Sequence, residues 1–546
     1  MGVPGFFAWL LKNYKKSILT VETQEVDYLF LDFNGLIHPV CFRVIDENKD
    51  CKDCKNLKTL ENLMIEKILE YLDFIVNYVN PKKCLYIAID GVCPLTKMKH
   101  QRHRRYKSVY DHEVITKLKQ QHEVPIYNFW TNASITPGTK FMLKLTEALK
   151  SHITSHLKQK VKKIIFSTAQ TPGEGEHKIM NFIKRSKFSE KISLCVYGLD
   201  ADLIFLSLAT NRPNIFLLRE YKELCKGVSE IPFAWVIIDN LKESVKNVIK
   251  NEGVEHDNVI YDFIVLCYLL GNDFIPRIPN LNIHNNGIDL IIEIYKEVYA
   301  GKPLVDISNG INIDLEFLTR IFEKLKFKEN SYFRKQYQVG KLKNPRSGDD
   351  FNSDLWNYEN MRFQYEDPVQ LGSDEPHLWR KRYYDNYFGE KNINPACQKY
   401  IEGLFWIANY YFKDCISWHW YYHYDVAPFV SDIHHFLTHG KLREIKFQKN
   451  RPLQPLEQLL IVIPPQLDFL VPKAYRTLYK TDLKNYALEK FEIDNLNKNK
   501  QYEASPVLPF INLKLIRSSI KKVKLNKEET DYLEKINTKI PDYVFK

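Results

Sequence analysis

The stretch YLFLDFNGLIH, residues 28–38, indicates the fold class, because an apolar run of strand character ends there at an aspartate, Asp32. Similar apolar runs occur at three further places, Leu85–Ile89, Lys163–Phe166 and Ser193–Tyr197. Amphipathic helical patterns such as Lys140–Leu157 lie between the runs. Strands that alternate with helices predict an α/β fold with a mostly parallel, doubly wound sheet flanked by helices.

Seven carboxylates follow these runs and one apolar helix, and they lie in five short islands of sequence. They are Asp32, Asp90, Glu174, Glu176, Asp200, Asp202 and Asp273. In such folds the loops at the carboxyl edge of the sheet converge on a crevice, so distant acidic residues can meet there. Helix N-caps would explain Glu174 or Asp202 singly, but not the doublets GEGE and DAD.

Converging carboxylates repel one another unless a cation neutralises them. A hard divalent cation with oxygen ligands, Mg²⁺ or alternatively Mn²⁺, suits such a set. Two ions of this kind close together activate water and stabilise the leaving oxygen of a phosphodiester. The acidic islands therefore predict a metal-dependent nuclease.

A basic segment directly follows Asp90, with six Lys or Arg residues between Lys97 and Lys107. On a helix the side chains of four residues would share one face: Lys97, Gln101, Arg104 and Arg105. Arg binds phosphate bidentately and Lys as a point charge, so this face suits a terminal phosphate beside the metals. The alternative is a solvated basic face or a nuclear-import patch.

Aromatic residues allow two interpretations. His38 follows Asp32, and Trp418 and Trp420 lie in the segment SWHWYYHY. Such rings stack on unpaired bases with about 1–3 kcal/mol per base. On composition alone, core packing is the better interpretation for either tryptophan.

Composition narrows the class further. The 546 residues are 45% hydrophobic and carry a net charge of +11, enough for a large core with local basic clusters. Cys51 and Cys54 form a C-x₂-C, but no second pair follows at zinc-finger spacing. No run of eighteen apolar residues occurs. We expect a monomeric protein of a reducing compartment, cytoplasmic by preference with the nucleus left open, and without a membrane partner.

Changes in periodicity predict four segments. A nuclease core is expected at 1–310, and a polar, turn-rich linker or insertion at 311–377. A second region is expected at 378–525 and a C-terminal tail at 526–546.

Together these motifs resemble the Xrn family of 5′→3′ exoribonucleases, in a short form without the long C-terminal extension. The matching segments are MGVPGFF, LDFNGLIH, AIDGVCPLTKMKHQRHRR, ITPGTKFM, TPGEGEHKIM, YGLDADLI, LLGNDFIP and SWHWYYHYDVAPFVSDI. They follow the order of the family and span nearly the whole chain.

The resemblance implies a flap-endonuclease or PIN-like nuclease core with a second, mainly helical region packed against it. It implies that the seven acids hold two Mg²⁺ ions, and that Lys97, Gln101, Arg104 and Arg105 bind a 5′-monophosphate. By the same likeness, His38 and one tryptophan of the SWHW segment sandwich the terminal bases. The helix around Phe6 and Trp9 would block duplex at the entrance.

The activity implied is processive 5′→3′ degradation of single-stranded, 5′-monophosphorylated RNA to 5′-mononucleotides, with decapping or other decay factors as candidate partners. Two alternatives stay open at this point. A structure-specific flap endonuclease uses the same chemistry, and a catalytically inactive RNA-binding protein would have lost metal ligands.

Overall fold

The computed structural model describes most of the chain. The described residues are 3, 5–48, 56–126, 130–221, 231–249, 258–341, 344–361, 367–389, 392–495, 498 and 500–546. Cys51 and Cys54 lie outside these ranges. None of the helices within them is both long and apolar enough to cross a membrane.

Strands and helices are numbered here along the chain. The strands are β1 Leu19–Thr20, β2 Tyr28–Asp32, β3 Cys84–Ala88, β4 Ile164–Ser167, β5 Leu194–Tyr197, β6 Ile215–Glu220, β7 Phe233–Ile237, β8 Val305–Asp306, β9 Asn312–Ile313, β10 Ile493–Asp494, β11 Ser505–Pro506 and β12 Tyr543–Phe545. The helices of the first half are α1 Phe6–Ile18, α2 Asn34–Glu47, α3 Leu57–Val79, α4 Leu95–Gln121, α5 Lys140–Ser155, α6 Gly175–Arg185, α7 Asp202–Ala209, α8 Ile238–Ile249 and α9 Val259–Tyr268. Those of the second half are α10 Gly287–Val298, α11 Leu315–Lys341, α12 Phe351–Asn360, α13 Pro376–Tyr387, α14 Asn394–Phe412, α15 Val430–His439, α16 Pro455–Val462, α17 Leu513–Lys522 and α18 Lys527–Asn537.

The main sheet has eight strands in the order β1-β7-β6-β5-β2-β3-β4-β12. Its centre, from β6 to β4, is parallel, with Leu31 of β2 paired to Ile87 on one side and Tyr197 on the other. The edge strands β7, β1 and β12 run antiparallel to their neighbours. The predicted α/β class is confirmed, and the sheet is mixed at its edges.

Both faces of this sheet are covered, as the continuous apolar runs require. Because side chains alternate along a strand, Phe30 of β2 enters one core and its neighbours Leu29 and Leu31 enter another. The first core includes residues of α1, α6 and α7, and of α10, α11, α13, α14 and α15 in the second half. The second includes residues of α2, α3 and α5.

A third core joins the start of α4 to the C-terminal part of the chain. Leu95 and Met98 of α4 are buried with Leu459 of α16 and Ile516 of α17. The first turns of the basic helix α4 are therefore held rigidly between the sheet region and the second half of the chain.

Two local expectations differ from the structure. The polar segment predicted as a linker contains α11, whose buried Phe317, Ile321 and Leu325 pack into the first core. The composition hid this helix because polar residues fill its exposed face and its second half. The predicted tail, 526–546, contains α18 and β12. The division into domains as a whole stays a prediction.

The C-terminal strand also supports a loop that leads to the acidic islands. β12 pairs with β4, with Phe545 opposite Ile164. The hydroxyl of Thr171 donates to the carbonyl oxygen of Ile540 at 2.7 Å, and Tyr86 donates to Asp542 at 3.0 Å. The segment therefore braces the connection between β4 and α6.

Deletion of residues 540–546 is expected to lower the free energy of unfolding by about 2–4 kcal/mol, from lost ladder hydrogen bonds and aromatic burial. Urea denaturation measures this loss. Deletion of Lys546 alone, which is exposed, is the control and should leave the midpoint unchanged. Equal midpoints for the two deletions would contradict the bracing role.

Candidate active site

The acidic islands lie at the carboxyl edge of the parallel strands. Asp32 ends β2, and Asp90 lies two residues beyond β3. Glu174 is the N-cap of α6, and Asp202 is the first residue of α7, just after β5. Because β5, β2, β3 and β4 are parallel neighbours, these loops open on the same side of the sheet.

Gly175 shows how closely two of the acids approach. Its backbone N–H donates to Asp90 Oδ1 at 2.6 Å. A Cβ atom on Gly175 would lie 2.7 Å from Asp32 Oδ1 and 3.3 Å from Asp90 Oδ1. A glycine is therefore needed where the N-terminus of α6 meets the two carboxylates, and the helix dipole there favours negative charge.

Lys97 of α4 connects two other acids. Its Nζ lies 2.7 Å from Glu174 Oε1 and 2.6 Å from Asp273 Oδ2. Burial opposes the charged form of Lys97, but Asp273 and Glu174 outweigh it and raise the pKa of the ammonium well above its usual range. His100, one turn along, has Nδ1 3.4 Å from Asp273. The structure thus brings the first of the predicted phosphate cations into the acidic cluster itself.

Two buried polar atoms of this cluster, Glu176 Oε2 and His177 Nε2, have no hydrogen-bond partner among the described residues. Glu174, Glu176 and His177 each place one ligand atom within 4.8 Å of the others. Buried carboxylate oxygens without donors are costly unless a cation binds them, so these residues fit a divalent metal site.

Mutual repulsion between the buried carboxylates raises the pKa of several of them. Burial and the charges of Asp90 and Asp200 raise the pKa of Asp32 well above its usual range. Burial and Glu174 raise the pKa of Asp90 to about 6, and burial raises that of Asp202 to about 7. Burial and Asp202 raise the pKa of Glu176 well above its usual range. The metal-free cluster therefore holds protons that a bound cation would displace.

These shifts predict how the stability of the metal-free protein depends on pH. Folded Asp90 and Asp202 keep their protons up to about pH 6 and about pH 7, whereas unfolded aspartates lose theirs near pH 4. The folded state binds more protons in this window, so stability is present below it and falls as pH rises.

We expect the melting temperature in EDTA to fall between about pH 5 and about pH 7.5, and the fall to shrink when Mg²⁺ is added. Differential scanning calorimetry of the wild type and of Asp202→Asn measures it, since the variant lacks one titrating group. A wild-type melting temperature that rises over this pH range, or that follows the same profile as the variant, would contradict the raised pKa values.

Neighbouring groups fix the strand ends that carry the acids. Lys178 Nζ donates to the carbonyl oxygens of Ile89 and Thr168, at 2.7 and 2.8 Å. Asn34 accepts from the backbone N–H of Asp90 at 3.0 Å. Arg219 of β6 donates to the carbonyl oxygen of Asp200 at 3.3 Å. These bonds hold in place the loops that carry the carboxylates.

The remaining predicted phosphate ligands follow Lys97 along α4, which is helical as expected. Gln101 accepts a hydrogen bond from Gln458 at 3.1 Å, and Arg104 is exposed. Arg105 donates through Nη2 to Thr136 Oγ1 at 2.8 Å, and its buried Nη1 has no partner among the described residues. This face is therefore cationic and has a free donor for an anion.

His38 lies beside the same cations. It is half-buried on α2, and burial together with Arg104 and Arg105 lowers its pKa to about 4. The ring is therefore neutral at pH 7, and a neutral ring can stack on a base.

The two tryptophans have different surroundings. Trp418 is half-buried, and its carbonyl oxygen accepts from the N–H of Leu95 at 2.9 Å, so it lies at the start of α4. Trp420 is 9% exposed and stacks on Trp406 at 5.6 Å between ring centroids. The ring of Trp420 packs in the core beneath Gly403, and base stacking by either tryptophan stays a prediction.

Sequence reasoning missed two members of the site. His177 directly follows Glu176, and its ring stacks on Tyr410 at 3.7 Å. Tyr410 of α14 donates to Glu174 Oε2 at 2.8 Å, so the second half of the chain reaches the acidic cluster. The His in GEGEH was a visible signal, whereas nothing in the pattern of α14 distinguishes Tyr410 from its aromatic neighbours.

Fold, acidic cluster and cationic helix together define a hydrolytic nuclease as the class. Residues 1–221 match the family model of the XRN 5′-3′ exonuclease N-terminus, and residues 253–361 and 345–545 match that of the Xrn1 helical domain. The chain belongs to the XRN family of 5′-3′ exonucleases.

Curated relatives carry consistent names. The chain is 28% identical over 688 residues to 5′-3′ exoribonuclease 2 of Arabidopsis thaliana, covering 94% of this chain and 66% of the relative. It is 29% identical over 616 residues to human 5′-3′ exoribonuclease 1, covering 97% of this chain and 34% of the relative. For 5′-3′ exoribonuclease 1 of Saccharomyces cerevisiae the identity is 26% over 662 residues, with 94% and 42% covered. The chain thus spans about two thirds of the first relative and less than half of the other two.

Proposed function

We propose that this chain is a processive 5′→3′ exoribonuclease that degrades single-stranded, 5′-monophosphorylated RNA to 5′-mononucleotides. The observation that carries the proposal is the position of Lys97. It lies in the acidic cluster at one end of a cationic helical face, so one helix can hold both the phosphate that is cut and the terminal phosphate.

Asp32, Asp90, Glu174, Glu176, Asp200, Asp202 and Asp273 are the residues that would hold two Mg²⁺ ions, which supply an activated water and stabilise the leaving 3′ oxygen when bound. Tyr410 orients Glu174 by its hydrogen bond, and Gly175 lets Asp32 and Asp90 approach the N-terminus of α6. The burial of the cluster excludes bulk water, which strengthens every charge interaction in it.

The end of the RNA is proposed to bind at the cationic face. Gln101, Arg104 and Arg105 would hold the 5′-monophosphate, with the free Nη1 of Arg105 as one donor. The first bases would stack between His38 of α2 and Trp418 at the start of α4. Tyr410 and Trp418 both belong to the second half of the chain, so that half closes the pocket around the RNA end.

A closed pocket disfavours the flap-endonuclease alternative. An enzyme that cuts at a flap needs an open path for the part of the strand between the cut and its 5′ end. The inactive RNA-binding alternative requires lost metal ligands, and all seven acids are present.

The proposal is tested with RNAs that carry a 5′-monophosphate, a 5′-hydroxyl or a cap, all labelled at the 3′ end. We expect the monophosphorylated RNA to disappear without intermediates of discrete length, while the other two persist. Equal decay of the three RNAs would contradict end recognition, and cuts that begin inside the RNA would favour an endonuclease.

The two tryptophans provide a matched pair for the stacking role. Trp418→Ala should lower kcat/KM on monophosphorylated RNA about tenfold or more, the value of one lost base stack, and leave the melting temperature unchanged. Trp420→Ala should instead destabilise the fold by about 3–5 kcal/mol, because it empties a core position.

Thermal unfolding and initial rates on the same preparations distinguish the two variants. If Trp418→Ala unfolds early and degrades RNA normally once folded, Trp418 is a packing residue and the stacking assignment is wrong.

A further inference from the structure

A large groove lies beyond the cationic face and has no place in the proposed reaction. It encloses about 1390 Å³, more than the roughly 300–1,000 Å³ of most small-molecule sites. Its walls include Phe42, Ser108, Trp130, Lys140, Phe469 and Lys473. The groove therefore has room for a mononucleotide.

The groove begins one helical turn from the proposed site of the RNA end. Ser108 follows Arg104 by four residues on α4, and Phe42 follows His38 by four residues on α2. Residues four apart lie on the same helical face, about 6 Å from each other. Two separate helices thus lead from the phosphate and base positions into the same groove.

A third connection runs through the loop that precedes α5. Thr136 of this loop accepts a hydrogen bond from Arg105 at 2.8 Å. Ser134 and Thr139 of the same loop line the groove. Arg105 and the groove therefore lie against one short segment of chain, residues 134–139.

One part of the lining matches the chemistry of a nucleoside monophosphate, while Glu61, Glu113, Glu528 and Glu529 line other parts of the groove. Thr139 is the N-cap of α5, so the amides and the positive dipole end of a 16-residue helix adjoin the groove beside exposed Lys140. Lys473 adds a second exposed cation. These groups suit a phosphate.

Aromatic surface in the same groove suits a base. Phe42 and Phe469 are 52% and 49% exposed, although side chains of this size usually avoid water. Exposed aromatic faces of this kind are what a nucleobase stacks on.

We propose that this groove receives the released nucleoside 5′-monophosphate and is its exit from the site. The inference rests on the proposed exonuclease function. It explains how a pocket closed around the RNA end could release a product at every step, because the product leaves past Ser108 while the RNA stays engaged.

The first test fills the groove with Ser108→Trp, and Ser151→Trp on the exposed face of α5 is the matched control. We expect Ser108→Trp to slow the degradation of a long monophosphorylated RNA about tenfold, with the first cleavage of a single turnover unchanged. A slower overall degradation with an unchanged first cleavage identifies product release as the affected step.

The second test measures binding of radiolabelled AMP by equilibrium dialysis in EDTA, using Arg104→Ala to weaken the terminal-phosphate pocket. We expect saturable AMP binding that persists in Arg104→Ala and falls at least about fivefold on adding Lys140→Glu and Lys473→Glu. Lys117→Glu, an exposed lysine of α4 outside the groove, should have no effect.

The outcomes separate this inference from the proposed function. If the wild type degrades monophosphorylated RNA and both Ser108→Trp and Ser151→Trp degrade it at the same rate, only the groove inference is overturned. The same holds if Ser108→Trp slows the first cleavage as much as later steps. If the wild type leaves this RNA intact, the exonuclease proposal fails and the groove inference falls with it.

Discussion

Asp202→Asn is expected to lower the rate of RNA cleavage about 10³-fold, because a metal ion contributes several kcal/mol of charge stabilisation that a neutral ligand does not support. The same substitution should raise the melting temperature in EDTA. Asp202 is 1% exposed and lies beside the negative charges of Asp273 and Asp200. Above about pH 7, where Asp202 is ionised, asparagine removes one buried negative charge from a repulsive cluster and keeps the shape of the side chain.

Asp262→Asn is the matched control, a buried aspartate outside the cluster. Its oxygens accept from Tyr295 Oη at 2.6 Å and from the N–H groups of Leu304 and Val305 at 3.0 and 2.7 Å. This variant should lose stability and keep the cleavage rate of the folded enzyme. If Asp202→Asn also melts early in EDTA, or cleaves near the wild-type rate, Asp202 is a structural residue.

Arg104→Ala is expected to lower kcat/KM on 5′-monophosphorylated RNA by about 10- to 100-fold, the value of one charge-assisted hydrogen bond. The rate on 5′-hydroxyl RNA should change little, since that end offers no phosphate. Arg104 is exposed and lies close enough to His38 to lower its pKa, so its removal should not disturb packing.

Lys117→Ala controls for the change in charge, because Lys117 is also exposed on α4 but lies three turns further along. It should leave both RNAs unaffected. An equal loss on both RNAs in Arg104→Ala, or an equal effect of Lys117→Ala, would mean that α4 attracts RNA without recognising its end.

Much of the site follows from sequence because its determinants are local. An apolar run that ends in an acid places Asp32 and Asp90 at the same sheet edge once the strands are parallel, and helical spacing places Arg104 and Arg105 on one face. The pairing of Lys97 with Glu174 and Asp273 was not predictable in this way. It depends on how α4 is oriented in the third core, which includes Leu459 and Ile516 from far along the chain.

Long-range packing explains the remaining differences as well. Trp418 and Trp420 are two residues apart in one aromatic segment, and only the position of Trp406 on α14 decides that Trp420 is buried. Helix α11 and strand β12 lie in polar sequence and form because Phe317 and Phe545 find apolar neighbours elsewhere. The partners of a residue, unlike its spacing, are a property of the folded chain.

The most direct test of the account follows a 5′-monophosphorylated, 3′-labelled RNA with the wild type and with the Asp200→Ala, Asp202→Ala double variant, in Mg²⁺ and in EDTA. The account predicts rapid loss of the RNA with the wild type in Mg²⁺ only, and RNA binding without cleavage by the double variant. Equal cleavage by the two proteins, or by the wild type in EDTA, would contradict the acidic cluster as the catalytic metal site.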